Sequence, residues 1–232
     1  MLRNPNFFIV SMNPFVSQYF KNLKKLIMSI IYHFSAKPLA GKRSSTISII
    51  RTSAGILARL GASQTRVYHN MLGGSLGNIG LGCTFDSFSE AMNVLATRES
   101  DPHWLELLER QKPELIMDVQ TRSLLRVAYG EADMSAVVHH VRSYSIMRDK
   151  LPQALEMFNE LEDLGDEKTK IAAVVPSVSA GMAALHAVYQ NDSLEDAGNS
   201  MDKVGMSEAF QNLILRASQL GTLETSSINV KI

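Results

Sequence analysis

Apolar and polar positions alternate over residues 29–36, where branched and aromatic side chains dominate, and that period of two predicts a strand. Over residues 42–60 the period lengthens. Ile47, Ile50, Ala54 and Leu57 recur at helical spacing, and Gly61 follows as a stop. Strands are expected at 64–71 and 77–85, joined as a hairpin by the glycine-rich LGGSLG. Asp86 and Ser87 offer a cap to a helix from Phe88, which should break near Asp101 and Pro102 and resume from Trp104 to Arg110. A fourth strand follows at 115–128. The same plan then recurs: strand 136–145, helix 151–165, strands 170–177 and 181–189, a capped helix from Leu194 and a last strand near 222–231.

The recurrence extends to residue identity. DSFSEAMNVLATRESDPHWLELLER (86–110) aligns without gaps on DSLEDAGNSMDKVGMSEAFQNLILR (192–216), 106 residues later. Trp104 falls on Phe210 and Leu108 on Ile214, so large apolar residues coincide too. Upstream, IIYHFSA (30–36) resembles VVHHVRS (137–143), and GNIGLGCTF (77–85) resembles GMAALHAVY (181–189). We read a tandem duplication of a βαββαβ unit, with repeats at 28–132 and 133–232. Residues 1–27 are expected outside the fold, either as an upstream start, since Met28 opens directly onto a strand, or as an organellar transit peptide. Their apolar run is interrupted by Asn13 and Pro14, too short for a membrane span.

A βαββαβ unit is a split βαβ, or ferredoxin-like, sheet with helices on one face. The other face must also be buried, and the nearest partner is the other unit. On the segments FDSFSEA…SDPHWLELLER and YQNDSLEDA…SEAFQNLILR, the chain over 29–232 resembles the dimeric α+β barrel superfamily, which holds antibiotic-biosynthesis-type and haem-degrading monooxygenases and chlorite-dismutase-like proteins. The resemblance implies an α+β fold in which two ferredoxin-like repeats close an intramolecular barrel. It also makes haem conceivable. Haem-degrading members use an Asn, Trp and His set, and the position matching that His lies near Leu107 or Leu108, so the resemblance does not extend to it.

Strand parity nominates the side chains that line such a barrel. Matching 30–36 to 137–143 places Ile31, His33 and Ser35 on one face with Val138, His140 and Arg142. On the third strands, Gly80, Gly82 and Thr84, with Ala184, His186 and Val188, face the lumen. His33, His140 and His186 are therefore the candidate acid–base or orienting groups, since histidine titrates near neutral pH. Arg142 is the candidate anion binder. Gly80, Gly82 and Thr84 would shape a ligand cavity, or the glycines would permit sheet curvature.

Other motifs lose their context. Gly73 to Gly77 matches G-x-S-x-G, but a strand follows where a nucleophile elbow needs a helix. No phosphate-binding glycine loop is present. Adjacent His139 and His140 point to opposite faces of a strand, so no metal site is expected. Cys83, the single cysteine, sits in an apolar run and reads as packing.

Charge adds one feature. The 23 Lys+Arg and 23 Asp+Glu cancel, yet residues 1–85 carry ten basic residues and no acidic one. The first long helix bears Lys42, Arg43, Arg51 and Arg59, and its counterpart bears Glu156, Glu160, Glu162 and Asp163. No groove-reading or stacking pattern accompanies the basic residues, so nucleic acid is not expected. Self-association through oppositely charged helical faces is a consistent use of them. Two functional readings follow: a cofactor-independent, monooxygenase-like enzyme acting on a small molecule in the inter-sheet cavity, or a non-catalytic binding or assembly module. The expected location is cytoplasmic.

Overall fold

A computed structural model describes residues 29–111 and 114–232. The expectation for residues 1–27 lies outside them. The first half runs β1 (Ile30–Pro38), α1 (Arg43–Leu60), β2 (Gln64–Gly73), β3 (Ile79–Phe85), α2 (Phe88–Glu99), α3 (Pro102–Gln111) and β4 (Met117–Tyr129). The second repeats the order as β5 (Val138–Ile146), α4 (Leu151–Leu164), β6 (Lys170–Val178), β7 (Ala184–Asn191), α5 (Leu194–Ser200), a π-helical turn (Met201–Gly205), α6 (Glu208–Ala217) and β8 (Gly221–Lys231).

Local chemistry repeats with the order. Ser87 Oγ accepts from the Glu90 amide at 3.1 Å to cap α2, and Ser193 Oγ accepts from the Asp196 amide at 3.0 Å to cap α5. Gly73 and Gly77 both adopt positive φ in the β2–β3 hairpin, a conformation that favours glycine.

The eight strands close into a barrel in the order β1-β3-β2-β8-β5-β7-β6-β4, with every described pairing antiparallel. Each half supplies four adjacent strands, and the seams β2–β8 and β4–β6 join the halves. The α+β barrel built from two ferredoxin-like repeats is thus the fold of this chain.

Helices cover the outside. Ile30, Tyr32, Leu81, Cys83 and Phe85 of the first sheet pack on Ile50, Ala54 and Leu57 of α1. Leu185 and Ala187 of the second sheet pack on Phe158, Leu161, Phe210 and Leu213. Burial pushes the Cys83 thiol up to about 12, consistent with a packing residue. Ile31, Val127, Met134 and Val174 form a separate cluster inside the barrel.

One expectation is corrected. The β5–β7 register sets Ser143 opposite His186 and Arg142 opposite Ala187, so His139, Val141 and Ser143 face the lumen while His140 and Arg142 face the helices. Contacts agree: Ser143 Oγ shares a 2.9 Å hydrogen bond with His186 Nδ1, whereas the Arg142 guanidinium lies 5.4 Å from the Phe210 ring centroid in the outer core. The equivalent of His33 is His139, at the same 106-residue offset as the helices. The upstream match had slipped by one residue, and a one-residue slip exchanges the two faces of a strand.

Candidate functional site

Two compartments emerge, one inside the barrel and one between the barrel and its helices.

The lumen receives His33, His186, Gly80, Gly82 and Thr84 as the sequence indicated. It also receives Arg66, Tyr68 and His139. His33 Nε2 and Tyr68 Oη are 2.6 Å apart, and Thr121 Oγ1 lies 3.3 Å from His33 Nδ1. His139 Nε2 is 2.8 Å from the Asp133 carbonyl. Burial, reinforced by His186, pulls His33 down to about 4. Burial, with Arg66 nearby, does the same to His139, and burial alone lowers His186. These imidazoles are neutral at physiological pH. The glycines serve the packing of this interior. A Cβ at Gly80 would fall 2.1 Å from Tyr68 Cζ, and one at Gly82 would fall 3.2 Å from Met134 Sδ.

His140 and Arg142 sit instead in a small recess of about 40 Å³ under α4 and α6. His140 Nε2 is 2.9 Å from Ser226 Oγ, and burial, aided by Arg142, pulls its pKa down to about 4.

The larger space is in the first half. A cavity of about 360 Å³ opens between the outer face of β1, β3 and β4 and helices α1 to α3. Its walls are apolar and aromatic: Phe34, Ile49, Leu57, Trp104, Leu108 and Met117 among them. Two guanidinium groups enter it. Arg98 lies 4.5 Å from the Trp104 ring centroid and 5.8 Å from that of Tyr32. It donates to Glu99 Oε1 at 2.5 Å and to Tyr32 Oη at 3.4 Å. Burial opposes the Arg98 charge, but Glu99 and Tyr32 outweigh it and hold its pKa above the usual value. Arg122 lies 5.6 Å from the Phe34 ring centroid and is solvent-exposed at the edge. Lys42 and Glu114 pair at 2.5 Å beside it, with Glu114 lining the opening.

Sequence reasoning missed this site, although α2 carried a signal. Ala91, Val94 and Arg98 form the buried face of that helix, and a charged side chain in an apolar stripe needs partners. In the second half the matching spaces have shrunk to about 60 and 40 Å³.

A haem held through a histidine does not fit this cavity. Among the described residues no histidine or cysteine lines it; of the residue types that ligate haem iron, these offer Tyr32, whose hydroxyl accepts from Arg98, and Met117.

No family sequence model and no curated protein matches the chain. Solved structures do match it in fold. An anthrone oxidase-like protein superposes with a TM-score of 0.60 at 10% identity, covering 90% of this chain and 92% of that one. A candidate monooxygenase from Fusobacterium nucleatum gives 0.59 at 7% identity, with 88% and 92% covered. A ferredoxin-fold protein related to antibiotic biosynthesis monooxygenases, from Listeria monocytogenes, gives 0.50 at 12% identity, with 91% and 98% covered. The chain therefore shares the α+β fold of these proteins, with both halves of its barrel supplied by one polypeptide.

Proposed function

We propose that the protein binds a planar, largely apolar small molecule bearing an ionisable group in the Tyr32–Trp104–Arg122 cavity, and oxygenates it without a cofactor. The observation that carries the reading is an aromatic-walled cavity of about 360 Å³ holding two cations, of which Arg98 is ion-paired with Glu99 at 2.5 Å while Arg122, exposed at the edge, makes no direct ion pair among the described residues and feels Glu99 only at longer range. Apolar walls with a few placed polar groups suit a small-molecule site. The fold-mate described as anthrone oxidase-like supports an aromatic substrate whose anion is electron-rich. In such a reaction the substrate loses a proton, Arg122 stabilises the resulting anion, and the anion gives electrons to dioxygen. One oxygen enters the substrate as a carbonyl, and the other leaves as water. Guanidinium groups suit this task because they stay charged while packing on aromatic faces.

Trp104 is the only tryptophan in the chain, so its fluorescence reports the cavity directly. Titration with 2-naphthoate should quench it saturably, and Arg122→Gln should weaken that binding by about tenfold, the loss expected of one charge-assisted hydrogen bond. Neutral 2-naphthalenemethanol should bind both forms alike. Oxygen uptake with 1,8-dihydroxyanthrone then separates the enzyme from a non-catalytic binding module. Quenching without oxygen uptake would leave the binding module; no quenching by either naphthalene compound would remove the site.

A further inference from the structure

The barrel lumen contains a positive charge that no carboxylate among the described residues contacts directly. Arg66 is 2% exposed, and its guanidinium donates to three backbone carbonyls: those of Ala136, Val137 at 3.1 Å and Asn229 at 3.0 Å. Asp133 lies near enough to favour the charge, but its carboxylate is committed to Lys170 at 2.7 Å and to Ser135. The histidines that share the lumen are neutral, for the burial reasons given above. A buried cation held by carbonyl dipoles, the face of the Tyr68 ring at 5.9 Å and a carboxylate at longer range still gains from a counter-ion in direct contact.

Hydrogen bonding around this charge is also incomplete. Arg66 Nε has no acceptor, and the side-chain oxygens of Asn70 and Asn229 have no donor, although both residues are at least nine-tenths buried. Asn70 and Asn229 face each other across the β2–β8 seam, and Arg66 stands on the same face of β2, four residues before Asn70. Three unsatisfied polar groups thus cluster where the two halves meet. Buried polar atoms seldom lack partners, and a water or an ion is a common missing partner where they do. A carboxamide can turn its NH₂ toward an acceptor as readily as its oxygen toward a donor.

Thr121 and Thr225 lie on the lumenal faces of β4 and β8 and are exposed, so that end opens to solvent, while Met134 in the β4–β5 connection is buried inside the barrel.

We propose that the lumen is a second binding site, distinct from the helix–sheet cavity, that takes a small monovalent anion of carboxylate or halide size at Arg66, Asn70 and Asn229. Its charge balances the guanidinium, and its lone pairs accept from Arg66 Nε and from the two turned amides. The site belongs to the joined barrel, because β2 and β8 come from different halves.

Chloride and formate are the probes, used with the full-length protein at constant ionic strength. The ³⁵Cl resonance of chloride should broaden saturably in the presence of the protein, and formate should reverse the broadening by competition. Asn70→Leu, which removes an amide and leaves the Arg66 carbonyl bonds intact, should weaken chloride at least about tenfold. Arg66→Met should abolish the saturable component. Should Arg66→Met fail to fold, Asn70→Leu and Asn229→Leu carry the test. Broadening that is unsaturable in the wild type, or unchanged in the folded variants, would mean that water satisfies these groups, and the proposal would be overturned.

Discussion

At the scale of single residues, the lumenal glycines have a physical reason that composition alone left open. Gly80 was expected either to leave room for a ligand or to allow curvature; instead the Tyr68 ring occupies the volume a Cβ would need. Gly80→Ala should therefore cost about 1–3 kcal/mol, the usual range for overpacking a filled core, as measured by urea denaturation. Combining it with Tyr68→Leu should recover part of that loss; an additive pair would show that the ring is not the obstacle. Gly82→Ala should be milder, since the flexible Met134 side chain can move away from a 3.2 Å contact. Trp104 and Arg98 illustrate what residue-level reading could not reach. Glu99 is the next residue in the chain after Arg98, but Tyr32 lies on β1, and only the fold brings it to Arg98 and Trp104.

At the scale of elements, the periodic pattern recovered the eight strands and the helices of the first half to within a few residues, whereas the single helix expected from Leu194 is divided into α5, the π-helical turn and α6, which Ser207 caps. Register was harder to read. A strand's face is set by a period of two, so a single-residue slip in matching 30–36 to 137–143 sent His140 and Arg142 to the wrong side, while the gapless helical match gave the correct 106-residue offset. Extending that offset upstream pairs His33 with His139, both lumenal. Caps are where the repeat predicts energetics most directly. Ser87→Ala and Ser193→Ala each remove the acceptor for one helix-initiating amide, and each should destabilise the protein by about 1 kcal/mol. Thermal denaturation of the single and double variants should show the two losses adding, because α2 and α5 belong to different halves. Strong coupling between them would contradict the separate outer cores of the two halves.

At the scale of the whole molecule, the fold gathers wholly or partly buried histidines from both halves, and this fixes the sign of its pH dependence. His33 and His139 in the lumen, and His140 in the outer recess, have folded-state values of about 4 against an ordinary 6.5. Well above pH 6.5 all three are neutral in both folded and unfolded chains and leave stability unaffected. As pH falls from 6.5 toward 4 the unfolded chain takes up protons that the folded chain resists, so stability is lost across that window. Each group contributes about 3 kcal/mol when the titration is complete, and three together rival the 5–15 kcal/mol total of a typical domain. Carboxylates do not blur the picture, because Glu99, Asp101 and Asp196 are held below their ordinary values by hydrogen bonds and ion pairs and withdraw their stabilisation only at lower pH. Urea midpoints should therefore be level above about pH 7 and fall steeply between pH 6.5 and 4.5, and His139→Gln should flatten that fall without changing the plateau slope. A midpoint that stays constant or rises on acidification to pH 4.5 would show that water reaches these imidazoles, and the packing assigned to the barrel interior would then be wrong.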